Sequence, residues 1–369
     1  MLIKISLKNP TVLMITCILL WVVIKYLPVW STTTDQAIFG EKYSKSQYVL
    51  GPKSTEWISD SELYVYAGYA YMLGQDPTTI NFEHPPLGKY VTGISQLLFG
   101  NAYLINLGLF IILLVMTHYL ASILISNEKI KALVILIFAI QPIIFSQLQF
   151  ALLDMSFTIS ILGIFVCLHR KFSKAWLKYL SLGILLGMVA AIKYPIPFIL
   201  IPSLIIGVVA FREKQIQFLL FTGLGAVTVY LLSYTLYFYH DHSLVDFLSF
   251  EKYRYVWWTG DRTMPKFLIF QNLFTGHYPA WWDGGAEQIT KEWNIMLPAL
   301  FSMFVFSFIW VKRKFWNVLI ASFGFIMILV YGYASAAALS YLTLLIPFWL
   351  VTVGAVVEEA LLIKSKRQP

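Results

Sequence analysis

Apolar residues in this chain fall into long runs divided by polar connections, most of them short and two of them long. Ten runs can be read, at about 10–28, 101–125, 131–149, 154–169, 177–193, 195–211, 215–238, 294–311, 315–333 and 336–357. Runs of roughly 17–25 residues suit a hydrocarbon core about 30 Å thick. The fourth is short, and the Lys193–Pro197 turn blurs the boundary between the sixth and its predecessor. The pattern predicts an all-α polytopic membrane protein, one membrane domain over 1–369 with about ten transmembrane helices. The first run follows Lys4 and Lys8, as a secretory signal would. It is longer than a signal's apolar region and no small-x-small site follows, so it predicts a retained helix.

The short connections on one side are basic: Glu128–Lys131, His169–Lys171, Arg212–Lys214, Lys312–Lys314 and the tail from Lys364 to Arg367. Placing them in the cytosol with both termini leaves +12 inside and −4 outside, in accord with the net +8. This is the positive-inside bias of a membrane protein, and no basic stripe remains for nucleic acid. The two long connections, 29–100 and 239–293, then lie together on the external side. Neither holds a low-complexity linker, and no internal repeat is visible.

Composition agrees: 59% hydrophobic, 12% charged, mean hydropathy +0.71. A soluble domain carries about twice that charge. Cys17 and Cys167 both fall in apolar runs, where they read as reduced packing residues and not as a disulfide framework.

Chemistry concentrates in the long connections and at the ends of two runs. Asp60-Ser61-Glu62 opens a helical stretch in which Tyr64, Ala67, Tyr71 and Met72 recur at near-helical spacing, ending at Gly74–Pro77. Asp60 can cap that helix, or serve as a fixed carboxylate that takes a proton from a hydroxyl, with Glu62 as the alternative base. Glu83-His84-Pro85-Pro86-Leu87-Gly88-Lys89 follows. Its prolines predict an extended entry and a helix from Leu87, amphipathic through Val91, Ile94, Leu97 and Leu98, and able to lie along the bilayer. His84 can donate to a phosphate oxygen; Glu83 can orient it or bind a divalent cation; Lys89 can snorkel or meet an anion. Asp154 interrupts an apolar hairpin and Lys193 ends the fifth run, both at the external mouth. Charges at membrane depth mark functional sites. The second long connection sets Lys252, Arg254, Arg262, Lys266 and His277 among Trp257, Trp258, Trp281 and Trp282. An aromatic belt explains any single tryptophan, and cations within it suit a lipid phosphate. No nucleotide-binding glycine loop, HExxH or Cys/His metal spacing occurs.

Together these segments resemble the integral-membrane glycosyltransferases of the GT-C class, in particular the protein O-mannosyltransferases, with the bacterial lipid A aminoarabinose transferases as relatives. The resemblance runs over about residues 10–200. It rests on Asp60, on His-Pro-Pro-Leu-Gly-Lys from His84 to Lys89, on Leu152-Leu153-Asp154, and on the small-residue stretch from Gly187 to Lys193. Beyond it, Gly276-His277-Tyr278 with Trp281-Trp282 also fits. Ser61 stands where the family carries Glu, Gln149 where it often carries Arg, and the large lumenal insertion of the eukaryotic enzymes is missing.

The resemblance implies a GT-C-like bundle with interfacial helices and inverting transfer of a sugar, a hexose such as mannose, from a polyprenyl-phosphate donor. The acceptor would be a protein, glycan or lipid hydroxyl, at the outer face of a prokaryotic plasma membrane. Asp60 would be the base, with Asp154 orienting the acceptor or a metal. His84, Lys193, Lys89, Arg254, Arg262 and His277 would meet the donor phosphate. The physical requirements agree: a phosphate leaves readily, so the reaction needs a base and cations for the departing charge. A lipid or glycolipid flippase, or a membrane scaffold, would share the spans but give the two long structured connections no task.

Overall fold

The computed structural model describes residues 10–193, 196–260, 265–280, 285–334 and 337–367. Nearly every element is helical; the strands among these residues are one antiparallel pair, β1 (His277–Pro279) and β2 (Glu287–Ile289), with His277 opposite Ile289. Among the described residues, six helices are long and apolar enough to cross a bilayer: Pro10–Ser31, Ile105–Leu124, Ala175–Ile192, Ile216–Ser233, Phe315–Tyr333 and Leu339–Ser365. Three further expected spans form shorter apolar helices, Asp154–His169, Pro197–Arg212 and Met296–Trp310. At 1.5 Å per residue a 16-residue helix covers about 24 Å, less than a full hydrocarbon core.

The remaining expected span, 131–149, is not one helix. It forms Glu128–Ala139 and then Pro142–Ser146. Pro142 lacks the N–H that the helix needs and disfavours helical backbone at Gln141. Gln141 is buried at the break and its amide donates back to the Ile137 carbonyl at 3.1 Å. Cys167 is buried, but Cys17 is exposed on the first helix, contrary to its expected packing role.

Backbone contacts group the chain into two compact units, one of 1–25, 111–146 and 263–369 and one of 26–110 and 147–262. The first is organised on the helix Leu342–Arg367, against which Glu128–Ala139, Met296–Trp310 and Phe315–Tyr333 pack. Trp349 is fully buried there between Phe301 and Phe304, with ring centroids at 5.2 and 5.7 Å. Glu358 accepts from the backbone N–H groups of Ser126 and Asn127, closing the polar connection before Glu128.

The second unit carries most of the polar residues singled out above. Its spine is Ala175–Ile192, packed along Leu219–Ser233 through small residues. A Cβ on Gly183 would stand 2.4 Å from the Thr222 carbonyl, and one on Gly187 2.7 Å from that of Ala226. Such close backbone approach is how helices associate in lipid, where burial of apolar surface gives no advantage. Over these lie the two helices of the first long connection, Asp60–Met72 and Leu87–Phe99. They cross backbone to backbone, since a Cβ on Gly93 would meet the Gly68 carbonyl at 2.1 Å. Leu87–Phe99 buries its small and polar side, Gly88, Lys89, Thr92, Gly93 and Ser95. It exposes Ile94, Leu97, Leu98 and Phe99, the arrangement expected of a helix that lies along a bilayer.

Candidate active site

Ser59 caps the helix Asp60–Met72: its hydroxyl accepts from the Glu62 N–H at 3.3 Å, and the Glu62 carboxylate accepts from the Ser59 N–H at 2.9 Å. This reciprocal box satisfies the free N–H groups of the first turn. It also removes Asp60 from the capping role that the sequence left open. Glu62 is committed further, to Lys42 at 2.7 Å. Burial pushes its carboxyl up, but Lys42 and the two Ser59 groups outweigh that and hold it below its ordinary value. Glu62 is thus a building element of the helix start, fixed in place as a carboxylate.

Asp60 Oδ1 accepts from the Tyr48 hydroxyl at 3.0 Å. The residue is exposed, yet the protein around it displaces enough water to push its carboxyl above the ordinary range. Tyr48 and the charge of Lys193 pull it back, Asp154 adds to the rise, and Lys89 opposes it. Those facts together describe a solvent-accessible carboxylate set among other charges, where solvent access moderates the effect of burial.

Three long-range contacts bring the other segments to it. The Ser61 hydroxyl accepts from the Ala151 N–H at 2.8 Å, tying the Asp60 helix to the segment that leads into Asp154. Serine at this position, a departure from the family pattern, therefore has a structural task. Gly88 touches the residues that precede both Asp154 and Lys193: a Cβ there would lie 2.6 Å from Leu153 and 3.2 Å from Ile192. A larger residue at Gly88 would have to displace the Leu153 and Ile192 side chains. Asp154 opens the helix Asp154–His169, and Lys193 follows the end of Ala175–Ile192. The two meet as an ion pair at 2.5 Å with side chains 9% and 7% exposed. An ion pair so buried holds its geometry because removing either partner would strand the other charge.

The His84 ring is buried and stacks on Trp258 at 5.2 Å between centroids. Lys89 is fully buried; its ammonium donates to the His84 and Asn81 carbonyls at 2.6 and 3.3 Å and faces the rings of Tyr64 and Tyr71. Burial drives its pKa well below the lysine range, against the pull of Glu83. Lys89 thus clamps the loop from inside, a task that the sequence reading assigned to anion contact. Arg254 is likewise fully buried, its guanidinium held by Glu251 and the Tyr234 and Tyr230 hydroxyls. His277 belongs to the other compact unit, where it faces Glu287 across the β1–β2 hairpin at 3.3 Å. Arg262, Trp281 and Trp282 lie outside the described residues. Among the described residues, no three His, Cys, Asp or Glu side chains gather as metal ligands.

Sequence reasoning passed over Tyr48, Glu251 and the role of Trp258. Glu251 stood in plain view, three residues before Arg254 at helical spacing. The second long connection also holds the first through His240, on the Gly74 carbonyl at 2.8 Å, and His242, on Asp76 at 2.9 Å. Phe82 sits between Tyr253 and Trp257.

No protein-family model matches the sequence, and no curated protein is significantly similar to it. Among solved structures, the chain is similar to ArnT from Cupriavidus metallidurans in the apo state, with TM-score 0.60 and 15% identity. It is equally similar to ArnT bound to undecaprenyl phosphate, with TM-score 0.59 and 16% identity. Each alignment covers 93% of this chain and 60% of ArnT, so the chain spans well under two thirds of its neighbour's length. The chain has the helical membrane fold of ArnT, a GT-C-like bundle.

Proposed function

We propose that this protein is an inverting glycosyltransferase that moves a sugar, a hexose such as mannose, from a polyprenyl-phosphate donor to a hydroxyl acceptor at the outer face of a prokaryotic plasma membrane. One observation carries the reading. Asp60 is uncapped and open to solvent beside the buried Lys193–Asp154 pair, in a chain with the fold of a protein crystallised with undecaprenyl phosphate.

The acceptor oxygen attacks the anomeric carbon as the bond from that carbon to the phosphate oxygen breaks. The electron pair leaves with polyprenyl phosphate, and the acceptor proton passes to Asp60. A carboxyl pushed upward by its surroundings is a better base than an ordinary one. Charge grows on the phosphate as it leaves, so cations placed before the reaction stabilise the transition state more than the ground state. Lys193 is suited to this, because its ion pair with Asp154 fixes its position at the site. His84 adds a second donor. Lys89 and Arg254 act by holding the loop and the helix that bear the site. The exposed apolar edge of Leu87–Phe99 would keep this chemistry at the bilayer surface, where a lipid-linked donor presents its head group.

Purified protein in lipid nanodiscs, given radiolabelled polyprenyl-phosphate mannose with peptide, glycan or lipid acceptors, should release free polyprenyl phosphate and label one acceptor class. Intact donor after long incubation with every acceptor, or donor that only changes leaflet, would replace this reading with transport.

A further inference from the structure

The His84 loop is held from two sides, and the second holder lies 174 residues away in sequence. Lys89 takes the His84 carbonyl from within. From outside, the Trp258 indole N–H donates to the Glu83 carbonyl at 2.8 Å while its ring stacks on the His84 imidazole, with 29° between planes. One side chain thus fixes both the backbone before His84 and the plane of its ring. The helix that carries it, Leu244–Thr259, is itself pinned: Ser243 and Asp246 box its start, and buried Arg254 ties it to Tyr230 and Tyr234. Its neighbour Trp257 packs edge-on against Phe82. An imidazole that must meet a phosphate oxygen needs its ring plane set within a narrow range, and a misplacement of about 1 Å can lower turnover by about a hundredfold.

We infer that Trp258 is a positioning residue that sets the His84 ring for the departing phosphate. This deepens the proposed function and rests on it. Trp258 itself touches no reacting atom; it acts through His84.

The test is a double-mutant cycle on the full chain in nanodiscs, with a reactivity measurement that needs no turnover. Trp258→Leu removes the stack and the N–H; Trp258→Phe keeps a smaller ring face, loses the N–H and covers the event that leucine fails to fold. The expected loss in kcat/KM for the donor is about tenfold to a hundredfold for leucine and smaller for phenylalanine. In a His84→Ala background neither substitution should cost anything further. Equal losses in both backgrounds, or no loss in either, overturn the inference. Independently, the rate at which diethyl pyrocarbonate modifies His84, followed by peptide mass spectrometry without substrate, should rise several-fold in Trp258→Leu. An unchanged rate also overturns it. Undecaprenyl phosphate should slow this modification in the unsubstituted protein. Should that protein bind no undecaprenyl phosphate and turn over no donor, the proposed function falls, while the reactivity of His84 still decides its placement by Trp258.

Discussion

The helix Ala175–Ile192 bears a buried lysine at each end, and the two ends differ in a way that defines the site. Lys178 meets both carboxylate oxygens of Glu213 at 2.8 Å, with the Tyr179 hydroxyl donating to the same group at 3.4 Å. Lys193, about 22 Å further along the axis, meets Asp154. Each lysine is buried and forms an ion pair. The Lys178 pair closes on itself: one cation, one anion and a neutral donor. The Lys193 pair has a second carboxylate within electrostatic reach, Asp60, which has no lysine of its own. A paired lysine alone is an anchor; under the proposed function, one beside an open carboxylate would serve to move a proton and a negative charge.

The largest effect expected from this contrast is in Asp60→Asn. Turnover should fall by about a thousandfold or more, with donor binding retained and with thermal stability at pH 7 equal or slightly higher. The sign follows from the raised carboxyl. Its protonated form suits the fold, so the associated stability is present at acid pH and lost as pH rises through the folded-state pKa. Wild-type turnover in this variant would remove Asp60 from the chemistry.

Next comes the pair itself. Lys193→Ala should lower turnover by about a hundredfold and weaken donor binding together. Lys178→Ala should leave kcat within about twofold while unfolding earlier, because it strands Glu213; the loss lies below the ~3–5 kcal/mol of a fully buried pair, since Glu213 is a third exposed. Equal kinetic losses at both ends would abolish the distinction. The pH profile of kcat/KM should rise with pH along an acid limb centred above the ordinary Asp value of about 3.9. In Asp60→Asn that limb should vanish from whatever activity remains.

The smallest effect is expected from Glu62→Gln: kcat unchanged, stability down by about 1 kcal/mol. That loss should shrink as pH falls, since a depressed carboxyl contributes only above its folded-state pKa.

Much of this arrangement could be read from the chain. Helix starts at Asp60 and Leu87, the stop near Gly74 and most apolar runs follow from capping, proline and hydropathy, which are local. The break at Gln141–Pro142 is equally local, carried by one proline inside an apolar run. What pattern cannot reveal is commitment. Lys89, Arg254 and Glu62 look like available charges in sequence, and only their partners show that they are occupied. Gly88 shows the same limit from the opposite side. Its need for hydrogen in place of a side chain is set by Leu153 and Ile192, 65 and 104 residues distant, and no spacing rule reaches that far.

The crossing at Gly68 and Gly93 has a consequence for the thermodynamics of recognition. Where Gly68 meets Gly93 the contact is backbone to backbone, so that point of the crossing has no rotamer to reorganise when a ligand arrives. The platform that carries Asp60 is ordered during folding, so a donor loses mainly its own freedom on binding and little of the protein's. Calorimetry should then return a heat-capacity change no larger than the apolar surface of the ligand explains, without the added component of coupled folding. Gly93→Ala would wedge the helices apart and transfer part of that ordering to the binding step, weakening affinity through entropy while every polar contact stays in place.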